Sequence, residues 1–327
     1  MLNPVLESTK KVIEFPIYVK INQKKLEETA EKFSKEKFEI PGWNMPIYPE
    51  TADPKTPDFI FLENTINFAF TDFETKKKFA TILEGTEWKG SSGMCACLKR
   101  AKDEGAPIFN SNFLENITEA QMKKIFKGNM EIPMLKERTK IFQEVGGVLN
   151  EKYKGSFHKL LEASEYRLFG IEEKRGLVER LIEDFPSFDD SRILGGEKIC
   201  FNKRAQLLPA ILYGKFQNTG SFKFPDITDL TIFADYVLPK GLRDLGILIY
   251  EKGLAKKVDT QQLLLPWGQE EMEIRASTIH AVHNLIELIN KERKEKPINA
   301  LHMDYRLWSE SRKNGKTPHH LTKTIAY

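Results

Sequence analysis

The sequence predicts a mainly α-helical protein in two lobes, with a small antiparallel β element in its N-terminal third. Three observations predict it. Apolar residues recur at helical spacing through most of the chain. Runs rich in β-branched and aromatic residues are confined to the stretch before residue 90. A chain of 327 residues, 40% hydrophobic and 11% aromatic, is long enough for a substantial core and for more than one lobe.

Taken in order, "NQKKLEETAEKFSKEKFE" places Leu26, Ala30 and Phe33 at helix spacing in a charged background, an exposed amphipathic helix. "DFIFLENTINFAF" and "KKKFATILEGTEWKG" read as an antiparallel strand pair around a turn near Asp72. Helical periodicity returns in "ITEAQMKKIFKG", where Thr118 and Gln121 offer a capping box, and in "MLKERTKIFQEVGGVLNEKYKG". It continues in "GSFHKLLEAS", "KRGLVERLIEDF", "FNKRAQLLPAILYGKF", "PKGLRDLGILIYEKGL" and "ASTIHAVHNLIELINKERK". A soft boundary at Gly155, in "YKGSFHK", divides 1–154 from 155–327, and a single continuous body is equally compatible with the pattern.

Lys+Arg number 50 against Asp+Glu 47, a net charge of +3, which disfavours a long polyanion as the main partner and leaves room for a local basic patch. Three cysteines, two of them Cys95 and Cys97 in "MCACLKR", form no even framework and lack paired zinc spacing. With no signal-like N-terminus and no apolar run of membrane-spanning length, the expectation is a soluble cytoplasmic protein and a monomer. No phosphate loop, HExxH, CxxC, GxSxG or dinucleotide fingerprint is present, so neither cofactor nor metal is expected. "LGGEK" at 194–198 reads as a turn.

What remains is polar residues in aromatic surroundings. "TDLTIFADYVLP" sets Asp235 among apolar residues just ahead of Pro239, and an unpaired buried carboxylate costs several kcal/mol. Either Asp235 caps a helix opened by Pro239, or it is poised in a pocket. Asn67 stands beside Phe68 and Phe70, which strand alternation sends to one face. Lys203 and Arg204 start an apolar helix; Glu271, Glu273 and Arg275 stand at period 2 before another; Asp304 and Trp308 lie one helical turn apart, flanking Tyr305. The apolar ending "PHHLTKTIAY", with His320 and Lys323, suggests a docked tail.

Together "TINFAF", "CLKRAKDEGAPI", "FPSF", "KRAQLL", "IFADYVLP", "EMEIRAST", "DYRLW" and "PHHLTKTIAY", in this order and beginning from "LNP" at 2–4, resemble the queuosine salvage family of queuosine 5'-phosphate N-glycosylases. The resemblance implies a helical fold similar to helical DNA glycosylases. It implies hydrolysis of queuosine 5'-monophosphate to queuine and ribose 5-phosphate without a cofactor, with Asp235 as the catalytic carboxylate. It further suggests Asn67 at the base edge and Asp304 at the cationic amine or diol of the base. Phe68, Phe70, Phe233, Tyr305 and Trp308 supply candidate aromatic walls, and Lys203, Arg204, Arg275, His320 and Lys323 the pool of cations for the 5'-phosphate. Two departures stand out: "GWNMPIYPET" lacks the histidine that family members carry after "GW", and Ser309 stands where an acid is expected, with Glu310 beside it. Outside this reading, the alternatives are a glycosylase acting on a polynucleotide and a non-catalytic nucleobase-binding module.

Overall fold

A computed structural model describes residues 3–327, so Leu2 of the "LNP" motif lies outside the described residues. Among the described residues the chain forms fourteen α-helices and four two-stranded sheets. No described helix is long and apolar enough to cross a membrane.

Most helices begin and end where local chemistry directs. Asn3 caps Pro4–Lys10 by accepting from the Val5 N–H, while its Nδ2 donates to Gln206 and to the Asp229 carbonyl. Gln23–Ser34 buries Leu26, Ala30 and Phe33 as its periodicity predicts and packs on the long helix Gln269–Glu292. The Thr118–Gln121 capping box opens Glu119–Ile125. Leu135–Tyr153, Phe157–Ala163, Leu177–Asp184 and Lys203–Phe216 also form where predicted.

Four expectations need correction. The segment 58–65 lies not in a strand but in the helix Thr56–Thr65, opened by Pro57 and buried from Phe59 through Thr65. A run apolar on all sides has no period to separate strand from buried helix. The hairpin instead lies wholly in the second segment, Ala80–Leu83 with Thr86–Lys89, turning at Glu84 and Gly85, both at positive φ; a single bridge, Thr71 to Lys78, closes the Asp72 turn. "LGGEK" is a turn, but it joins an unexpected hairpin, Ser191–Leu194 with Glu197–Cys200. The stretch opened by Pro239 is a helix Val237–Asp244, a strand Leu248–Tyr250 paired with Val19–Ile21, and a second helix Lys252–Asp259.

The apolar interior is two clusters. One gathers residues 47–227; the other joins residues 5–33 to 199–201 and to most apolar positions after 238. Both draw on residues from either side of Gly155. Between them runs a segment whose side chains part company: Leu230 and Phe233 enter the first cluster, Ile232 and Ala234 the second. Asp235 comes next in the chain.

Helix Leu135–Tyr153 crosses Ser111–Glu115 so closely at Gly146 that a Cβ there would lie 2.2 Å from the Glu115 amide nitrogen and 2.5 Å from the Ser111 carbonyl oxygen. Beside it, a Cβ on Gly147 would meet only the Glu115 carboxylate at 3.7 Å. Gly146→Ala should therefore destabilise the protein by about 1–3 kcal/mol through overpacking, whereas Gly147→Ala should be neutral or stabilising by up to about 1 kcal/mol. Denaturant unfolding of the two variants checks the pair, and equal midpoints would contradict the close approach.

Candidate active site

Asp235 ends the segment between the clusters, and there its two carboxylate oxygens divide their work. Oδ1 accepts from the N–H groups of Val237 (2.7 Å) and Leu238 (3.0 Å), capping Val237–Asp244. Oδ2 has no protein hydrogen bond among the described residues. The capping and pocket interpretations of Asp235 are thus compatible. Burial raises its pKa, opposed by Lys203 and by the two N–H groups.

A buried ion pair sets the position of this acid. Arg275 donates to both carboxylate oxygens of Asp190, at 3.0 and 2.6 Å, and both residues are almost wholly buried. Its Nε donates to the carbonyl of Ala234, next to Asp235, at 3.2 Å. Asp190 also accepts from the Lys203 N–H at 3.3 Å. The guanidinium is sandwiched 4.0 Å from the Phe201 ring centroid and 4.4 Å from that of Tyr327. One bidentate pair therefore holds the backbone on either side of the site. Glu271, Glu273 and Arg275 do not share a face, because they lie inside the helix Gln269–Glu292. There Glu271 meets Arg275 at 3.4 Å, while Glu273 accepts from the N–H groups of Ile17, Tyr18 and Val19.

Around Asp235 the structure gathers Lys203, Asp304, Asn67 and Phe233. The Lys203 ammonium makes one long bond, 3.4 Å, to the Asn67 carbonyl, and its charge bears on both Asp235 and Asp304. Asp304, on Ala300–Asn314, has its pKa pushed well above the carboxylate range by burial and by the Asp235 charge, against Lys203 and the Phe233 N–H. Both carboxyls are thus pushed up by burial, Asp304 further by the charge of Asp235. The Asn67 side chain is half-buried and has no bond to the protein among the described residues.

Other expected site residues serve the surrounding frame. Arg204 donates to the carbonyls of Thr65 and Ser187, and the fully buried Arg138 donates to those of Ile66, Phe68 and Ala69. Arg138 also stacks over Phe68 (4.3 Å) and Phe70 (5.2 Å), two rings that belong to the core. The "TINFAF" stretch is thus fastened by buried arginines through its carbonyls. The tail docks as expected: Leu321–Thr322 pairs in parallel with Leu263–Leu264, and the Tyr327 carbonyl accepts from Ala69. The Tyr327 hydroxyl donates to Glu271 at 2.9 Å and lies 3.1 Å from His320 Nε2. Burial pushes His320 down to about 3, so it is neutral and turned inward. Lys323 is solvent-exposed, Tyr305 is half-buried, and Trp308 packs on the second cluster beneath the Arg312 guanidinium at 4.6 Å.

A second set of groups had no signal in the sequence. Lys78 lies in the joint field of Arg312, Lys240 and Asp235; partial desolvation and the two like charges lower its pKa. Among the described residues none of the three cations has a carboxylate in ion-pair contact. His319, held near 4 by burial and by Lys78 and Lys240, donates from Nδ1 to the His320 carbonyl and lies tilted against the Tyr236 ring, centroids 4.5 Å apart. Lys78 belongs to "KKKFATILEGTEWKG", expected as one strand of a pair, and no local pattern links positions 78, 240 and 312.

The sequence profile of the family described as queuosine salvage protein matches residues 47–327. The chain belongs to the queuosine salvage protein family. A Sphaerobacter thermophilus protein named queuosine 5'-phosphate N-glycosylase/hydrolase is 32% identical over 325 residues, covering 99% of this chain and 97% of that one. Proteins of the same name from Mus musculus and Dictyostelium discoideum are 33% identical over 292 residues and 31% identical over 345 residues, covering 86% and 100% of this chain and 85% and 100% of theirs. Asp190, Lys203, Asp235, Arg275 and Asp304 all lie within the matched residues. In the loop where this queuosine salvage protein lacks a histidine, Asn44 Oδ1 accepts from Lys215 at 3.3 Å. The backbone of Trp43 accepts from the same ammonium group at 3.0 Å. Of the two residues after "DYRLW", Ser309 is half-buried and Glu310 pairs with Arg306 at 2.8 Å.

Removing Asp190 leaves the Arg275 charge buried beside only the longer Glu271 contact. Asp190→Ala should cost about 3–5 kcal/mol, as for other broken buried pairs, and a denaturant midpoint close to the parent's would show that the pair is not what holds these segments.

Proposed function

We propose that this protein hydrolyses the N-glycosidic bond of queuosine 5'-monophosphate, releasing queuine and ribose 5-phosphate. The observation that carries the proposal is Asp235, with one oxygen fixed by two backbone N–H groups and the other unbonded among the described residues, in the joint field of Lys203 and Asp304. The names of the relatives agree with it.

Breaking the ribosyl C1'–N bond builds positive charge on the sugar, as in other glycoside hydrolyses. A carboxylate already held in place stabilises that charge without reorganising and orients the attacking water. The leaving base is a 7-deazaguanine, which lacks the ring nitrogen N7 as a protonation site, so hydrogen bonds elsewhere must assist departure. Asp304, whose pKa is raised by burial and by the Asp235 charge, is the candidate donor for that task, and the Asn67 amide is another at the base edge. Tyr305 and the tilted Tyr236–His319 pair are half-buried rings available to the flat base, whereas Phe68, Phe70 and Phe233 belong to the core. For the 5'-phosphate, the unpaired cations Lys78, Lys240 and Arg312 are better placed than Arg204, Arg275 or His320, whose polar groups are taken up inside the frame. The net charge of +3 supports a free nucleotide rather than a polynucleotide as substrate. The same reading makes the protein a cytoplasmic monomer. It extends to a two-lobed body like the helical DNA glycosylases, for which the two apolar clusters are the support; since both clusters straddle Gly155, the boundary there rests on the sequence alone.

Chromatography of products from queuosine 5'-monophosphate, queuosine and guanosine monophosphate tests the proposal: queuine should appear from the first and little base from the others. No base from any of them, in a folded sample, would overturn it. Asp235→Asn should lower turnover by roughly 10² or more, the scale of one preorganised electrostatic group, while leaving the melting temperature nearly unchanged because Asn caps helices about as well as Asp. Lys78→Ala and Arg312→Ala should raise KM for the monophosphate, more at low salt than at high, and leave the hydrolysis of queuosine itself unaltered.

A further inference from the structure

The helix Thr56–Thr65 packs against Lys203–Phe216 and carries a carboxyl group that the hydrolytic scheme does not use. Glu63, on Thr56–Thr65, has no exposed surface. Its Oε1 accepts from the Tyr48 hydroxyl at 3.2 Å and its Oε2 from the Cys95 thiol at 3.2 Å. Both donors are uncharged, and neither is a backbone N–H. A carboxylate placed so deep needs a counter-charge or a proton. The titratable groups that bear on it are Tyr48 from the 41–54 loop, Cys95 from Ser91–Asp103 and Lys203 from Lys203–Phe216, while Leu135–Tyr153 and Phe157–Ala163, which also pack on its helix, add none. Only Lys203 is a cation. Lys203 in turn has no carboxylate within hydrogen-bond contact, only the Asn67 carbonyl, yet its charge is shared among Asp235, Asp304 and Glu63. Tyr48 also lines a surface cleft of about 660 Å³ bounded by Lys99, Lys102 and Lys215, so the only oxygen-bearing partner of Glu63 lies beside solvent on a side remote from Asp235.

We propose that Glu63 is a positioning residue acting through Lys203: on losing its proton it draws on the Lys203 ammonium charge, leaving Asp235 the stronger negative centre at the reacting carbon. The proton leaves Glu63 for solvent, and no bond of the substrate is involved. Burial raises the Glu63 pKa to about 7, so the change falls in the neutral range, with Tyr48, Cys95 and Lys203 each opposing the rise. This inference rests on the assignment of Asp235 and Lys203 to the hydrolytic site.

Two measurements on the full chain test it. The first needs no turnover: carbon-13 NMR of protein labelled at glutamate Cδ and lysine Cε, titrated from pH 5 to 9, with Glu63→Gln and Lys203→Arg identifying the two signals. A Glu63 step near pH 7, mirrored by a Lys203 step that disappears in Glu63→Gln, is expected. A Lys203 signal indifferent to Glu63, or a Glu63 step in the ordinary carboxylate range, would overturn the inference. The second is the pH profile of kcat on queuosine 5'-monophosphate. In the parent protein kcat should rise through neutrality with little change in KM; in Glu63→Gln the rise should be lost and kcat should stay at its low-pH plateau. In Tyr48→Phe the inflection should move to higher pH, because a hydrogen bond favouring the carboxylate is gone, and this variant serves if Glu63→Gln fails to fold. An inflection that persists in Glu63→Gln, or does not move in Tyr48→Phe, would refute the role. Coupled NMR steps without any queuine release would instead count against the proposed hydrolysis and leave the coupling standing.

Discussion

The pair between Arg275 and Asp190 is the constraint on which the site depends. Each partner would be costly alone in the interior, and together they satisfy one another in bidentate geometry between the faces of Phe201 and Tyr327. Their remaining hydrogen-bonding capacity goes to backbone: Arg275 to the Ala234 carbonyl, Asp190 to the Lys203 N–H. Four regions far apart in sequence, the 190 turn, the start of Lys203–Phe216, the 230–235 segment and the helix Gln269–Glu292, are thereby referred to one point. Arg138 and Arg204 do the same for the 65–69 backbone. The frame is thus built from guanidinium groups turned inward, which is why these arginines are not the free cations of the site.

Asp235 lies where two apolar clusters meet, and that position accounts for its double character. The segment before it sends side chains into different clusters, so its backbone cannot shift without disturbing both. The following helix needs an acceptor at its N-terminus, and one carboxylate oxygen supplies it. An acid held in this way requires no extra ordering at the moment of reaction. Stability and the proposed chemistry therefore draw on the same side chain through different oxygens.

Where local patterns were strong, sequence and structure agree: the stripe of Leu26, Ala30 and Phe33, the Thr118–Gln121 capping box and the docked tail all follow from residues a few positions apart. Where the pattern was ambiguous, packing decided. The run 58–65 is enriched in aromatic and β-branched residues like a strand but is enclosed on all sides, and a helix satisfies its backbone internally without a partner strand. Glu271, Glu273 and Arg275 suggested period 2, yet the helix around them continues through both acids and gives only the i, i+4 pair a shared face. In the site, Asp235, Asp304, Lys203 and Asn67 were all legible as polar residues in apolar or aromatic surroundings. The cations Lys78, Lys240 and Arg312 were not, because an exposed lysine or arginine looks the same in sequence whether it faces solvent or a cleft.

By itself, the sequence determined the helical class, most helix positions, membership of a family through the order of its short motifs, and the candidacy of Asp235. These depend on spacing of a few residues or on linear order, which a chain carries before it folds. Only the tertiary structure decided that Arg204, Arg275 and His320 turn inward, that Asp304 shares the field of Asp235, and that Lys203 shares its charge with Glu63. Those outcomes depend on burial and on charges meeting across long stretches of chain, and neither the dielectric around a group nor its distant neighbours exist until the chain has packed.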